Sequence, residues 1–535
     1  MRTVLKTSFD QLSFDNRFTR ELAGDPIQEN YRRQVKNACY SLVNPTAVSN
    51  PALLAYSPEM LANLDLDDSV ASSEAFLAVL SGNRILQQMQ PYAMCYGGHQ
   101  FGNWAGQLGD GRAIILGDVI NHQGERWSLQ LKGAGPTPYS RTADGLAVLR
   151  SSLREYLCSE AMYHLGVPTT RALSLVLTGE QVLRDMFYDG HPAYEAGAIV
   201  CRTAPSFLRF GNFQILTAQH DIQGLKKLVD YCIQTDFPHL GAPSKAVYIQ
   251  WFEEICQRTA DMIVHWQRVG FVHGVMNTDN MSILGLTIDY GPYGWLEDYD
   301  PDWTPNTTDA GGRRYRFGQQ PQIAQWNLLQ LAEAIYPLIN EVEPLEKALQ
   351  QYSEYYHQKS ADMHASKLGF RHSSDELLRL HASLDQLLRE VETDMTLFYR
   401  SLARLDMTLN LDQIEQELDG LFAEAWYQDT KENAQYRMHL LQWIEQYRNL
   451  LNQAAVAEPQ RKFLMNQVNP KFILRNYLAQ QAIDGIEQGD YTVLNDLTQA
   501  MKSPYEDLLE FDSYCKRRPE WARHRAGCSM LSCSS

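Results

Sequence analysis

The chain has 535 residues, 44% hydrophobic and 21% charged, with a formal net charge of −17. That length and balance give a globular protein of two or more packed units. The negative charge excludes broad binding to nucleic acid or anionic membrane, and no run of about 18 apolar residues offers a membrane span.

In chain order, residues 1–90 mix polar loops with helical stretches, one at 59–64, and read as an N-terminal extension. Residues 91–215 shift to Gly-rich turns and β-type runs. Strands are predicted at 112–119 and, with period-two alternation, at 127–132. A helix is expected at about 144–165, then further strands over 172–183. Residues 216–400 read as a helical lobe broken by one short hairpin. Residues 401–535 read as a helical, acidic, Gln-rich extension. The expected fold class is α+β, with a β-rich lobe followed by a helix-rich lobe.

Gly109, Gly111 and Arg112 sit in a G-x-x-G-x-G turn just before the first clear strand. Such glycines let backbone N–H groups approach phosphates, although an ordinary turn uses the same residues. Lys132 ends the alternating strand. Glu155 lies on the next helix, on a polar face with Ser151, Ser152 and Ser159 and away from the Leu149, Leu153 and Leu157 stripe. From there it can pair with Lys132 and hold it over phosphates. The turn-rich insertion at 133–145, with Asp144 and Gly145, is longer than a connector needs and is expected to line the ligand. Arg202 and Arg209 flank Pro205 and fit phosphate clamps or, equally, surface ion pairs.

The segment 273–291 carries the chemistry. His273 and Asn280 keep the spacing of the protein-kinase catalytic loop H-R-D-x-x-x-x-N, and Asp289-Tyr290-Gly291 stands in for D-F-G. Val275 occupies the place of the catalytic Asp and cannot accept a proton. Residues 281–284 and 287–288 read as two short strands turning at Gly285-Leu286. That hairpin would bring Asn280 and Asp289 within roughly 5 Å of each other. An amide oxygen and a carboxylate at one spot suit a hard cation that also binds phosphate oxygens.

These stretches, with Tyr96 to Gly102, Gln320 to Leu328 and the terminal Ser532 to Ser535, resemble the selenoprotein O family over nearly the whole chain. The resemblance implies a protein-kinase-like fold that binds ATP in a flipped orientation. It also implies transfer of AMP, with release of pyrophosphate, to Ser, Thr or Tyr hydroxyls of proteins. Carried over residue by residue, it implies nucleotide contacts from Gly109, Gly111, Arg112, Lys132, Asp144, Gly145, Arg202, Arg209 and Asp289. Glu155 would support Lys132, Asn280 and Asp289 would bind Mg2+ or Mn2+, and Asp279 would be the proton acceptor. Uridylylation from UTP with manganese is a variant of the same site. A non-catalytic ATP-binding scaffold is the reading from a different class. A small-molecule kinase would need an Asp where Val275 stands.

Nine cysteines without a disulfide-scaffold pattern, and a start without a secretory apolar core, set the expectation of a reduced, cytoplasmic monomer. Its expected partners are the nucleotide and protein substrates, not nucleic acid or membrane. Cys528 and Cys533 sit close together in the tail, where a mobile thiol is accessible to redox chemistry. Some family members carry selenocysteine where Cys533 stands, which implies redox regulation and a link to oxidative stress. Cys528 and Cys533 could close a small disulfide, or one could pair with a distant cysteine; the cysteine that some relatives carry soon after the D-Y-G segment is absent at 302–306.

Overall fold

A computed structural model describes residues 5–186 and 190–532. Strands β1 (Tyr40–Leu42), β2 (Ala52–Tyr56), β3 (Tyr92–Met94), β6 (Ala113–Ile120), β7 (Arg126–Lys132), β8 (Arg171–Arg184) and β9 (Ala193–Ala204) form one antiparallel sheet. Its order is β1-β3-β6-β7-β9-β8-β2. β6 is buried on both faces, which explains its apolar run from Ala113 to Leu116; its buried Asp118 accepts from Ser128 and Arg126. β7 alternates instead: Leu129 and Leu131 face one way, and Ser128, Gln130 and Lys132 face the other. A separate hairpin of β4 (Gly97–Gln100) and β5 (Asn103–Gln107) stands apart from this sheet.

The first 90 residues are more than an extension, because β1 and β2 close the two edges of the main sheet. Short helices α1 (Arg17–Glu21), α2 (Pro58–Asn63) and α3 (Glu74–Leu80) complete that segment. Helix α4 (Leu149–His164) packs on β8 and β9. It begins five residues later than the sequence predicts. Gly145 takes a left-handed φ of 81°, and a Cβ there would meet the Gly135 carbonyl carbon at 2.3 Å, so the chain turns before it can coil.

The second lobe holds α5 (Phe210–Ala218), α6 (Ile222–Asp236), α7 (Lys245–Val269), α8 (Gln320–Ile339) and α9 (Glu343–Lys367). A two-stranded ribbon of β10 (Phe271–Val272) and β11 (Gly294–Trp295) brackets the 273–291 segment. Helices α10 (Asp375–Glu390), α11 (Met395–Arg404), α12 (Leu411–Phe422), α13 (Ala434–Gln453) and α14 (Glu458–Val468) enclose a core of their own. The remaining α15 (Asn476–Glu487) and α16 (Thr492–Lys502) return to pack on α4 and join the main core. The stretch 401–535 is therefore two pieces with different partners. The polar face of α4 is buried against β7 and β9, where Ser152 Oγ donates to the Ala198 carbonyl and Glu155 meets Lys132 and Arg202; Ser152, Glu155 and Ser159 are each under 3% exposed. Among the described residues no helix is long and apolar enough to cross a membrane.

Candidate functional site

Five charged side chains from five segments converge under the sheet. Lys132 Nζ lies 2.5 Å from Glu155 Oε2 and 4.0 Å from Asp289 Oδ1. Arg202, on β9, donates through Nη1 to Glu155 Oε1 at 2.9 Å and to Asp289 Oδ1. Arg209, just before α5, donates to Asp289 Oδ2 at 2.5 Å and to the Asp279 carbonyl at 2.8 Å. Both guanidiniums are buried, as buried ion pairs require of a hydrogen-bonded network. Burial pushes the Asp289 carboxyl up, but Arg209, Arg202 and Lys132 outweigh it and hold the group well below the usual carboxylate range. Glu155 is likewise raised by burial and lowered further by Lys132 and Arg202. Arg209 Nη2 is buried with no hydrogen-bond partner among the described residues, a donor left over for an anion. The structure thus brings together Lys132, Glu155, Arg202, Arg209 and Asp289.

The expected hairpin is not a regular one. Met281 and Thr287 form a single antiparallel bridge, and the 281–283 segment pairs instead with 208–210. Phe210 N donates to the Met281 carbonyl at 2.9 Å and Ile283 N to the Leu208 carbonyl at 3.2 Å. This side-by-side pairing, which local spacing cannot reveal, carries Arg209 to Asp289. Asp289 itself has φ 59°, a left-handed conformation that Asp tolerates better than most residues.

His273 is structural. Its Nε2 bonds the Ile288 carbonyl at 2.9 Å, Val275 N donates to its Nδ1 at 3.3 Å, and it stacks on Trp266. Asn280 donates its amide nitrogen to the Val275 carbonyl at 2.9 Å, which leaves the amide oxygen as its coordinating end. The Asn280 amide oxygen and the Asp289 carboxylate, whose two oxygens accept from Arg202 and Arg209, are hard oxygen donors of the kind a divalent cation takes. Asp279, one residue earlier, is 8% exposed. Its Oδ1 has no hydrogen-bond partner among the described residues, and burial pushes its carboxyl up to about 6. The β4–β5 hairpin roofs it: a Cβ on Gly98 would sit 2.7 Å from Asp279 Oδ1, so only glycine fits. Around it, His99 N donates to Thr278 Oγ1 at 2.7 Å and Phe101 N to Asn277 Oδ1 at 3.2 Å.

The other expected residues lie around this centre. Gly109 has φ 77°, and a Cβ there would strike the Tyr139 ring at 2.4 Å, so the insertion folds back on the Gly-rich turn. A Cβ on Gly111 would meet the Tyr139 carbonyl oxygen at 3.0 Å. Arg112 is half-buried within the field of Glu155 and Asp289. Asp144 is exposed and held by Arg184 at 2.7 and 2.9 Å, and Gly145 is buried beside it. The tail departs from expectation. Cys528 is 4% exposed rather than accessible, and burial raises its thiol to about 11. The segment after it docks on the 305–307 loop, where Leu531 N donates to the Pro305 carbonyl at 3.1 Å and Thr307 N to the Leu531 carbonyl at 2.8 Å. Cys533 lies outside the described residues. Sequence reasoning missed Gln130, which accepts from Arg202, Asp110, which accepts from Gln130, and Gln100, which donates to Asp279 Oδ2 at 3.4 Å; only the position of Gln130 two residues before Lys132 signals it.

The family model described as "Protein adenylyltransferase SelO" matches residues 27–502. The chain is 57% identical over 524 residues to the protein nucleotidyltransferase YdiU of Azoarcus sp. (strain BH72), covering 98% of this chain and 99% of the relative. It is 56% identical over 540 residues to that of Rhodopirellula baltica, covering 99% and 100%. Among solved structures it has a remote likeness to ROP2 from Toxoplasma gondii, described as having a protein-kinase fold and no enzymatic activity. That likeness has 13% identity and a TM-score of 0.23 over 56% of this chain and 87% of that one. Matched along nearly its whole length, the chain belongs to the SelO (YdiU) family of protein nucleotidyltransferases.

Proposed function

We propose that the protein transfers AMP from ATP to Ser, Thr or Tyr hydroxyls of proteins and releases pyrophosphate. The observation that carries this reading is the displaced base. Val275 removes the kinase proton acceptor, while Asp279, four residues on, is buried with an unpartnered oxygen, and Arg209 ties its carbonyl to Asp289. A carboxyl near 6 is mostly ionised at neutral pH and still basic enough to take a hydroxyl proton. The cations Lys132, Arg202 and Arg209 form a compact anion seat at the deep end of the site, which favours the phosphate tail there.

In the reaction, the acceptor oxygen bonds to the α-phosphorus as its proton passes to Asp279. The bond from the α-phosphorus to the bridging oxygen breaks, and pyrophosphate leaves with that electron pair. A divalent ion held by Asn280 and Asp289 supplies neutralisation of the phosphate charge. Lys132 and the two arginines orient the leaving pyrophosphate, and Glu155 holds Lys132 in place. Gly109, Gly111, Arg112, Asp144 and Gly145 complete the nucleotide seat in this reading. Redox control, if the tail supplies it, does not act through an accessible Cys528 thiol.

The test is ATP labelled separately at the α- and γ-phosphates, incubated with the chain, a divalent metal and a protein mixture. Protein-bound label from the α position alone, lost in Asp289→Ala, supports the reading. Label from the γ position indicates phosphoryl transfer, and UTP outcompeting ATP indicates uridylylation.

A further inference from the structure

We propose that Gln130 is a positioning residue of the nucleotide site: it fixes which edge of Arg202 meets the phosphate tail. This rests on the reading of Arg202 as a phosphate-binding group. In the β7–β9 ladder Gln130 is the direct cross-strand partner of Arg202, so the two side chains share a face. That is also the face of Lys132, two residues along the same strand. Gln130 is fully buried. Its Oε1 accepts from Arg202 Nε at 3.1 Å and also from Nη2. Its Nε2 donates to Asp110 Oδ2 at 3.3 Å, and that oxygen also accepts from Met94 N at 3.1 Å.

The consequence is geometric. A guanidinium is a planar fork with five N–H donors. Gln130 takes the Nε–Nη2 edge, and Nη1 is turned toward Glu155 and Asp289, the end at which Lys132 and Arg209 also gather. An amide suits this task better than a carboxylate. It grips the fork without cancelling the positive charge that a phosphate needs, and it can donate to Asp110, which a carboxylate would repel. Through Asp110 the same amide ties Arg202 to the Gly-rich turn that carries Gly109 and Gly111. The sheet, the turn and the phosphate-facing arginine are therefore one hydrogen-bonded unit.

The experiment uses the full chain and displacement of a fluorescent ATP analogue by Mg·ATP, by Mg·pyrophosphate and by adenosine. Gln130→Met, of similar volume, is expected to weaken ATP and pyrophosphate together by roughly tenfold, the usual effect of losing a buried charge-assisted hydrogen bond. Adenosine, which lacks the phosphates, should displace the probe as in the unmodified chain. Gln130→Glu should weaken pyrophosphate further, because it neutralises Arg202. Unchanged pyrophosphate binding in Gln130→Met overturns the proposal. So does an adenosine affinity that falls in step with pyrophosphate, which marks a general packing defect. If Gln130→Met loses its cooperative unfolding transition, Gln130→Leu carries the same test, because it too removes the grip on Arg202 without adding charge. An unmodified chain that binds neither ATP nor pyrophosphate removes the nucleotide reading itself, a result distinct from normal binding that is insensitive to position 130.

Discussion

Replacing Glu155 by Gln tests the charge network with almost no change of shape. Glu155 is 1% exposed and touches Lys132 at 2.5 Å and Arg202 at 2.9 Å. Removing one partner of a buried pair generally destabilises by about 3–5 kcal/mol, because the remaining charge stays desolvated. Here Asp289 still contacts Arg202 and lies 4.0 Å from Lys132, so part of the field survives and about 2–4 kcal/mol is expected. The sign with pH follows from the depressed carboxyl. Its contribution is fully present above the unfolded value of about 4.3 and is lost as pH falls through the lower folded value. The denaturant midpoint of Glu155→Gln should therefore fall well below that of the unmodified chain at pH 7, with the gap narrowing below about pH 4. Transfer should fall at least tenfold, since Lys132 is no longer held. Equal midpoints at pH 7, or a gap that widens in acid, would refute the argument.

Asp279→Asn should lower transfer by about 10²–10⁴-fold while leaving ATP affinity within a factor of a few, read by α-label incorporation against equilibrium binding. In the unmodified chain transfer should decline as pH falls through about 6, where burial places this carboxyl; a flat profile from pH 5 to 8 counts against Asp279 as the base. Arg475→Met strands Asp394, which is 0% exposed and held at 2.7 Å by Arg475, so stability should drop by about 3–5 kcal/mol with ATP affinity unchanged. Cys528 should resist alkylation in the native chain and react after unfolding, because it is buried and its thiol is raised to about 11; rapid native labelling at that position would contradict the docked tail.

Much of this centre is legible in the sequence because its chemistry is carried by residue types with few other uses at that spacing. The alternation of β7 places Lys132 on the polar face, and the leucine stripe of α4 leaves Glu155 on the opposite side. What local pattern cannot show is which distant segments lie side by side. The pairing of 281–283 with 208–210 brings Arg209 to Asp289, and it replaced the expected hairpin. Burial of the polar face of α4 depends on β7 and β9 lying across it, which sets Lys132, Arg202 and the Ala198 carbonyl against Glu155 and Ser152. The two edge strands of the sheet come from a segment too short and mixed in pattern to read as β. Cys528 looked accessible because proximity to a terminus suggests fraying, whereas strand-like pairing of Leu531 with Asn306 holds the tail down.

The same network couples the binding of nucleotide to that of a divalent ion in the proposed site. Both carboxylate oxygens of Asp289 are engaged by arginines, Oδ1 by Arg202 and Oδ2 by Arg209. A cation approaching Asn280 and Asp289 must compete with two buried guanidiniums and meets a local excess of positive charge, with Lys132 4.0 Å away. A triphosphate changes that balance, because phosphate oxygens are better partners for the guanidiniums and bring negative charge to the cation. Nucleotide and metal should therefore bind with positive coupling, and by linkage each tightens the other by the same factor. Titration of Mn2+ followed by electron paramagnetic resonance, with and without a non-hydrolysable ATP analogue, measures it. We expect the ion at this site to bind at least about tenfold more tightly with nucleotide present, a coupling of about 1.4 kcal/mol. Arg209→Met, which frees Oδ2, should raise nucleotide-free Mn2+ affinity and shrink that factor. Equal Mn2+ affinity with and without nucleotide in the unmodified chain would show that the arginines do not guard Asp289.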